Sequence, residues 1–327
     1  MNKILIIDPG KGWGHFVSKF YCYERLAENL NCKITFLTKK STQSEHYLKL
    51  SSFCEQIIYL DEPKKGIKNI LYNLISFKNN IQKINNLSFQ KCFVFHPSLR
   101  YLFIAKFSKV KEIWGLGLKF QNFFLSKNKK LYSNFFSKTI ENDRETLEFV
   151  KKITSNSNIT YKPFYSLNKK LRDTVGIIIA ASGNEKRWSI SNYIQVIKYL
   201  IEKDYKNFLI ISGTDQLNEE KIIINKFNNV KITLTSEKKI KDIIPYLIKC
   251  KFCIGNDTGF THLSVNLDIE TFVIYGDCPP QLYSDLILPI DIEANISRSS
   301  NSIHTINAEK VINNLSCFLN RRDGRAV

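Results

Sequence analysis

The chain has 327 residues, 43% hydrophobic and 24% charged, with a formal net charge of +18 at pH 7. That balance excludes a disordered chain, a collagen-like repeat and a small disulfide scaffold, and the length predicts two domains. The charge is unevenly spread: residues 1–170 carry 29 Lys and Arg against 12 Asp and Glu, whereas residues 171–327 carry 19 against 18. An acidic partner is therefore expected for the first half, either a polyanion or an anionic membrane surface. No apolar run reaches the ~20 residues that span a bilayer. The stretch after Met1-Asn2-Lys3 is too short for a signal peptide. Eight cysteines then predict reduced thiols and a cytoplasmic location.

Short apolar, β-branched or aromatic runs predict buried parallel strands at 4–7, 33–37, 56–59, 92–95, 175–179, 208–211, 230–234, 252–254 and 271–275. Helical segments such as 16–30, 190–203 and 219–227 lie between them. This alternation predicts α/β layers with right-handed crossovers, run through twice. The expected organisation is a domain at 1–160, a linker at 161–173 and a domain at 174–327. A final helix of about 307–319 opens on Asn307, an N-cap residue type.

In open α/β sheets ligands bind where strands end, so the turns after the strands carry the chemistry. The first reads Asp8-Pro9-Gly10-Lys11-Gly12-Trp13-Gly14-His15. Its three glycines allow positive φ and close backbone approach, but they do not form the GxGxxG dinucleotide fingerprint. A helix starting near His15 would set that imidazole at a positive helix end, neutral and able to accept a proton. The plainer alternative is a structural hydrogen bond to the backbone. Further on, residues 118–132 interleave aromatics with lysines. Such a segment can stack bases, lie on an anionic membrane, or form a core-packed helix pair with a solvated lysine loop. The chain lacks the motifs of nucleic-acid binders, so nucleic acid ranks last.

In the second half, Ala180-Ala181-Ser182-Gly183-Asn184-Glu185-Lys186-Arg187-Trp188 follows a strand. Lys186 as a point charge and Ser182 as a donor make a plausible diphosphate cradle, against a solvated basic turn with Trp188 packed beneath. Ser212-Gly213-Thr214-Asp215 could position a ribose or base, though such turns are common loop chemistry. The strongest element is Gly255-Asn256-Asp257-Thr258-Gly259-Phe260-Thr261-His262-Leu263. Asp257 and Thr258 would lie on a turn, Gly259 would open a helix with its N–H groups toward an anion, and His262 would follow one turn later. Cys250-Lys251-Phe252-Cys253 has CxxC spacing but enters a strand and has no second ligand pair, so no metal site is expected. Cys278, beside Pro279 and Pro280, reads as structural.

Three features together resemble glycosyltransferase family 9, the family of the lipopolysaccharide heptosyltransferases. They are the Gly-rich loop after the first strand, Lys186-Arg187-Trp188, and Asn256-Asp257-Thr258-Gly259-Phe260-Thr261-His262-Leu263 followed by Tyr275-Gly276. The resemblance implies a GT-B fold, two Rossmann-like domains facing across a cleft, and an inverting, metal-independent sugar transfer. It implies a nucleotide-sugar donor, ADP-heptose by default, held by Ser182, Gly183, Lys186, Arg187, Gly213, Asp257, Thr258, Gly259 and His262. An acidic glycan or lipopolysaccharide-core acceptor would meet Lys11, Gly12, Trp13 and Gly14, and no other cofactor is implied. The enzyme would work in the cytoplasm or peripherally on the inner face of its membrane. Where the family usually has Gly-Asp, with the aspartate as base, this chain reads Gly14-His15, which makes His15 the expected base. Two other readings stand beside this one: a polyanion- or nucleic-acid-binding protein, and a family member that binds a nucleotide sugar without transferring it.

Overall fold

The computed structural model describes residues 3–10, 12–49, 51–96, 98–116, 130–132, 142–163 and 172–322. It divides into two compact units, Met1–Tyr161 and Lys162–Val327. In the first, β1 (Ile4–Ile7), β2 (Ile34–Thr38), β3 (Cys54–Tyr59), β4 (Lys91–Val94), β5 (Glu112–Leu116) and β6 (Lys130–Tyr132) form one sheet, ordered β3-β2-β1-β4-β5-β6. In the second, β7 (Thr174–Ile178), β8 (Asn207–Ile211), β9 (Lys231–Leu234), β10 (Cys250–Asn256), β11 (Thr271–Tyr275) and β12 (Ile287–Asp291) are ordered β12-β11-β10-β7-β8-β9. All the pairings are parallel. Each unit thus has the doubly wound Rossmann order. Its topological switch point falls between β1 and β4 in one sheet and between β7 and β10 in the other.

The central strands are mostly apolar, as suits strands covered by helices on both faces. In the second unit the helix Ile190–Glu202 turns Tyr193, Val196, Ile197 and Leu200 inward, at the spacing that keeps one face of a helix on a core. The last helix, Ala308–Arg322, adds Val311, Leu315, Phe318 and Leu319 to the same cluster. Asn307 caps it, its Oδ1 accepting the Lys310 N–H at 2.9 Å. Burying a large apolar side chain contributes roughly 1.5–3 kcal/mol, which is what holds these layers together.

Every strand expected from an apolar run is present, displaced by at most two residues at either end. Three more were not expected. Two of them, β6 and β12, are edge strands, and β12 carries Pro289, which an edge tolerates because no ladder bond is needed from its nitrogen. The expected helix 16–30 is two helices, Trp13–Val17 and Phe20–Leu30. The break at Ser18-Lys19 turns the Lys19 ammonium onto buried Asp8, 3.2 Å away. Among the described residues no helix is long and apolar enough to cross a membrane.

Candidate active site

The second unit's switch point is built around Asn256, the last residue of β10 and fully buried. Its Nδ2 donates to the Ile179 carbonyl at 2.8 Å. Its Oδ1 accepts the Trp188 N–H at 3.0 Å and lies 3.0 Å from the Tyr193 hydroxyl. One side chain thereby fastens both ends of the turn after β7 to the end of β10. Trp188 completes the anchorage by donating from Nε1 to the Ile306 carbonyl at 2.6 Å.

On that frame Asp257 becomes a hub. Lys186 Nζ lies 2.6 Å from its Oδ2, His262 Nε2 lies 3.4 Å from its Oδ1, and the Cys278 thiol donates to Oδ2 at 3.2 Å. His262 sits one turn into the helix Gly259–Asn266, and its Nδ1 is 2.9 Å from the Tyr283 hydroxyl. Burial opposes ionisation of Asp257, but the hydrogen bond and charge of His262 and the Lys186 ammonium outweigh it, holding the carboxyl well below the usual range. Burial likewise works against the Lys186 charge, and Asp257 reverses this, raising its pKa above that of an ordinary lysine. Burial first and then the Asp257 carboxylate push the Cys278 thiol up, so it stays a protonated donor.

Thr258 is the N-cap of Gly259–Asn266, and its backbone N–H is taken by Thr261 Oγ1 at 3.1 Å. The Thr258 hydroxyl oxygen is buried with no hydrogen-bond partner among the described residues. An orphan hydroxyl, a lysine and a helix N-terminus at one switch point fit an anionic ligand group.

The other expected donor residues are placed as follows. Ser182 is exposed in the turn after β7, and the Gly183 carbonyl accepts the Lys186 N–H at 3.1 Å. Arg187 pairs with Asp215 and donates to the Ala181 carbonyl at 3.3 Å, so its charge is already engaged. Gly213 ends the turn after β8, its N–H given to Gln216 Oε1 at 3.2 Å. Asn256 lies in the Gly255-to-Leu263 motif but had no expected role of its own, and Tyr283 was not expected here. Cys278, read from the sequence as structural though near the donor site, instead has its thiol on Asp257.

In the first unit Lys11 lies outside the described residues. Gly12 is the N-cap of the helix Trp13–Val17, so Gly14 and His15 fall inside the helix, which begins two residues before the expected start. Of the three glycines only Gly10 has positive φ, at 38°; Gly12 is extended and Gly14 helical. The His15 side chain and most of the lysine-rich 118–132 segment are likewise outside the described residues. The charged centre of this loop is a group the sequence did not suggest. Buried Asp8 accepts the Gly10 N–H at 3.0 Å, the Lys19 ammonium at 3.2 Å and the Tyr23 hydroxyl. Lys19 also reaches the Phe95 carbonyl at 3.4 Å, joining the ends of β1 and β4. Burial, then Asp8, push the Tyr23 hydroxyl far up, which keeps it a donor.

Two Rossmann units of this strand order in one chain define the GT-B class of fold. The description Glycosyltransferase family 9 (heptosyltransferase) matches residues 115–315, and the chain belongs to that family. A curated relative, lipopolysaccharide heptosyltransferase 2 of Salmonella typhimurium, is 26% identical over 146 residues, 43% of this chain. The match spans 40% of that relative's length. Among solved structures, a glycosyl transferase family 9 protein of Veillonella parvula is similar over 98% of both chains, with a TM-score of 0.76 at 16% identity. The Escherichia coli heptosyltransferase WaaC with ADP-2-deoxy-2-fluoro heptose is similar over 98% of this chain and 99% of its own, with a TM-score of 0.72 at 12% identity.

Proposed function

We propose that the chain is an inverting glycosyltransferase that takes a sugar, by default heptose, from an ADP-linked donor held at the β7–β10 switch point. The acceptor is an acidic glycan of the lipopolysaccharide-core type. One observation carries this: the Lys186–Asp257–His262 cluster stands beside the N-terminus of Gly259–Asn266, with the Thr258 hydroxyl unspent. Family membership and the basic first half support it.

In the proposed reaction an acceptor oxygen forms a bond to the anomeric carbon as the bond from that carbon to the diphosphate oxygen breaks. The electron pair leaves with the nucleoside diphosphate, and the acceptor proton passes to a base, for which His15 is the nominee. The leaving charge is met by Lys186, the Thr258 hydroxyl and the first N–H groups of the helix, so the step requires no metal. Asp257 and His262 hold the Lys186 ammonium aimed and charged.

Titration calorimetry with ADP, UDP and GDP, and then ADP-heptose, tests the donor half. Binding of ADP and ADP-heptose, weakened about tenfold or more in Lys186→Ala as expected for losing a charge-assisted contact, is the expected result. Preference for UDP or GDP would keep the site and change the donor. Absence of binding to all four into the millimolar range would overturn the reading. Sugar transfer by His15→Ala at the parent rate would place the base elsewhere.

A further inference from the structure

The helix Ile70–Asn85 of the first unit has apolar side chains on two sides: Phe77, Ile81 and Ile84 pack on the core, and a second stripe does not. Beside the core-packed residues runs a polar row. Asn73 accepts the Lys64 N–H at 2.8 Å and donates to the Lys64 carbonyl at 2.9 Å. Ser76 donates to the Asp61 carbonyl, and Asn80 accepts the Asp61 N–H at 2.9 Å while donating to the same carbonyl at 3.0 Å. Lys83 ends the row on Asp61 Oδ1 at 2.7 Å and the Tyr59 carbonyl at 2.9 Å. Positions 73, 76, 80 and 83 recur at three and four residues, one side of a helix. Seven bonds to the segment 59–64 therefore fix the rotation of the helix about its axis.

That rotation leaves the second aliphatic stripe in water. Ile70, Leu71, Leu74 and Ile75 are exposed, Leu71 to 72% and Leu74 to 61%, and Ile67 in the preceding turn to 86%. Phe107, 62% exposed, extends the surface, its ring 6.2 Å from that of Phe77. A helix in a soluble protein ordinarily turns such a stripe onto the core, and a contiguous exposed one marks an interaction surface. Its border is basic. From residue 63 to residue 111 there is no Asp or Glu and there are ten Lys and Arg. Lys64, Lys65, Lys68, Lys78 and Lys109 are exposed, and Lys64 Nζ lies 4.5 Å over the ring of Tyr72.

We propose that this face docks the chain on an anionic phospholipid bilayer, with the helix lying in the plane of the interface. The aliphatic side chains would enter the boundary between headgroups and acyl chains while the lysines meet lipid phosphates. Charge selects this occupant. A second copy would set the same lysine border against itself, since a two-fold contact pairs a patch with its own image. An anionic bilayer complements both the apolar stripe and its rim. The proposal is independent of the transferase reading.

Co-sedimentation of the full chain tests it, using vesicles of equal parts phosphatidylglycerol and phosphatidylcholine against vesicles of phosphatidylcholine alone. The chain is expected to bind the anionic vesicles and to be released by salt. Leu71→Ser/Leu74→Ser is expected to weaken binding about tenfold or more with an unchanged melting curve, because both side chains already face water. Lys64→Glu/Lys68→Glu is expected to weaken it independently. Three results would overturn the proposal. The first is no binding to anionic vesicles. The second is undiminished binding by the double leucine variant, which would mean that net charge alone holds the chain. The third is a dimer, seen by ultracentrifugation and abolished by that variant, without vesicle binding.

Discussion

Asp257 is the residue on which the second unit's site turns, and its electrostatics can be read out through pH. Its carboxyl is held below the usual range in the folded chain, so it contributes stability that is fully present above about pH 4, the ordinary carboxylate pKa, and is lost progressively below it. Lys186 has the opposite shift, upward, so its contribution is complete at neutral pH and fades only well into the alkaline range. The pair is therefore intact between about pH 5 and 9, and stability across that window owes no slope to it. In Asp257→Asn the acid limb of a urea-melt series from pH 3 to 7 is expected to flatten. An unchanged slope would mean that other carboxylates set the limb. The sequence made Lys186 and Asp257 legible because they lie in two turns that follow apolar strands, and His262 because it follows in the same motif on the helix that the second turn opens. Tyr283 and Cys278 were opaque: each stands 21 residues from its partner, with nothing local to mark the contact. Asp8 was opaque too, because nothing in the loop itself shows that Lys19 and Tyr23 fold back onto it.

At the scale of elements, the apolar runs located nine strands because a strand covered on both faces cannot hide its composition. The missed strands are those where composition misleads, such as β12 with its proline and β6 with only three residues. The helix Ile70–Asn85 carries two apolar stripes, and the hydrogen bonds of Asn73, Ser76 and Asn80 decide which of them faces water. Loops joined to strands by one buried amide make a sharper prediction. Asn256→Ala would strand the buried Trp188 N–H, while the Ile179 carbonyl would keep the Gln216 Nε2 donor at 2.9 Å. Leaving such a group unpaired costs about 1–3 kcal/mol, so a loss of that order is expected by urea denaturation. Loosening of the turn that carries Lys186 should accompany it, seen as faster amide exchange at residues 181–187. Unchanged exchange there would show that Trp188 alone suffices as the anchor.

For the molecule as a whole, two sheets of the same strand order carry very different charge. The first 170 residues hold nearly all of the net excess, and residues 171–327, with the Lys186–Asp257 site, are close to neutral. Two-domain organisation was legible from the repeated alternation of strand and helix. The basic character of the first half was legible as a charge count, whereas the exposed stripe beside it depends on a helix rotation that no pattern reveals. The thiol on Asp257 has a practical consequence at this scale. Five of the eight cysteines are buried, Cys54 and Cys278 are half-buried, and Cys317 on the last helix is exposed. Burial, then Glu55, push Cys54 up to about 11, and Cys278 is held protonated by burial and by Asp257. Alkylating reagents attack thiolates, so neither half-buried site competes well near neutrality. A maleimide dye at pH 7 is therefore expected to mark the native chain once, at Cys317, with peptide mass mapping as the check. The wild-type chain thus comes with a single ready-made attachment point for a fluorophore on the unit that carries the Lys186–Asp257 cluster, with no cysteine needing removal first.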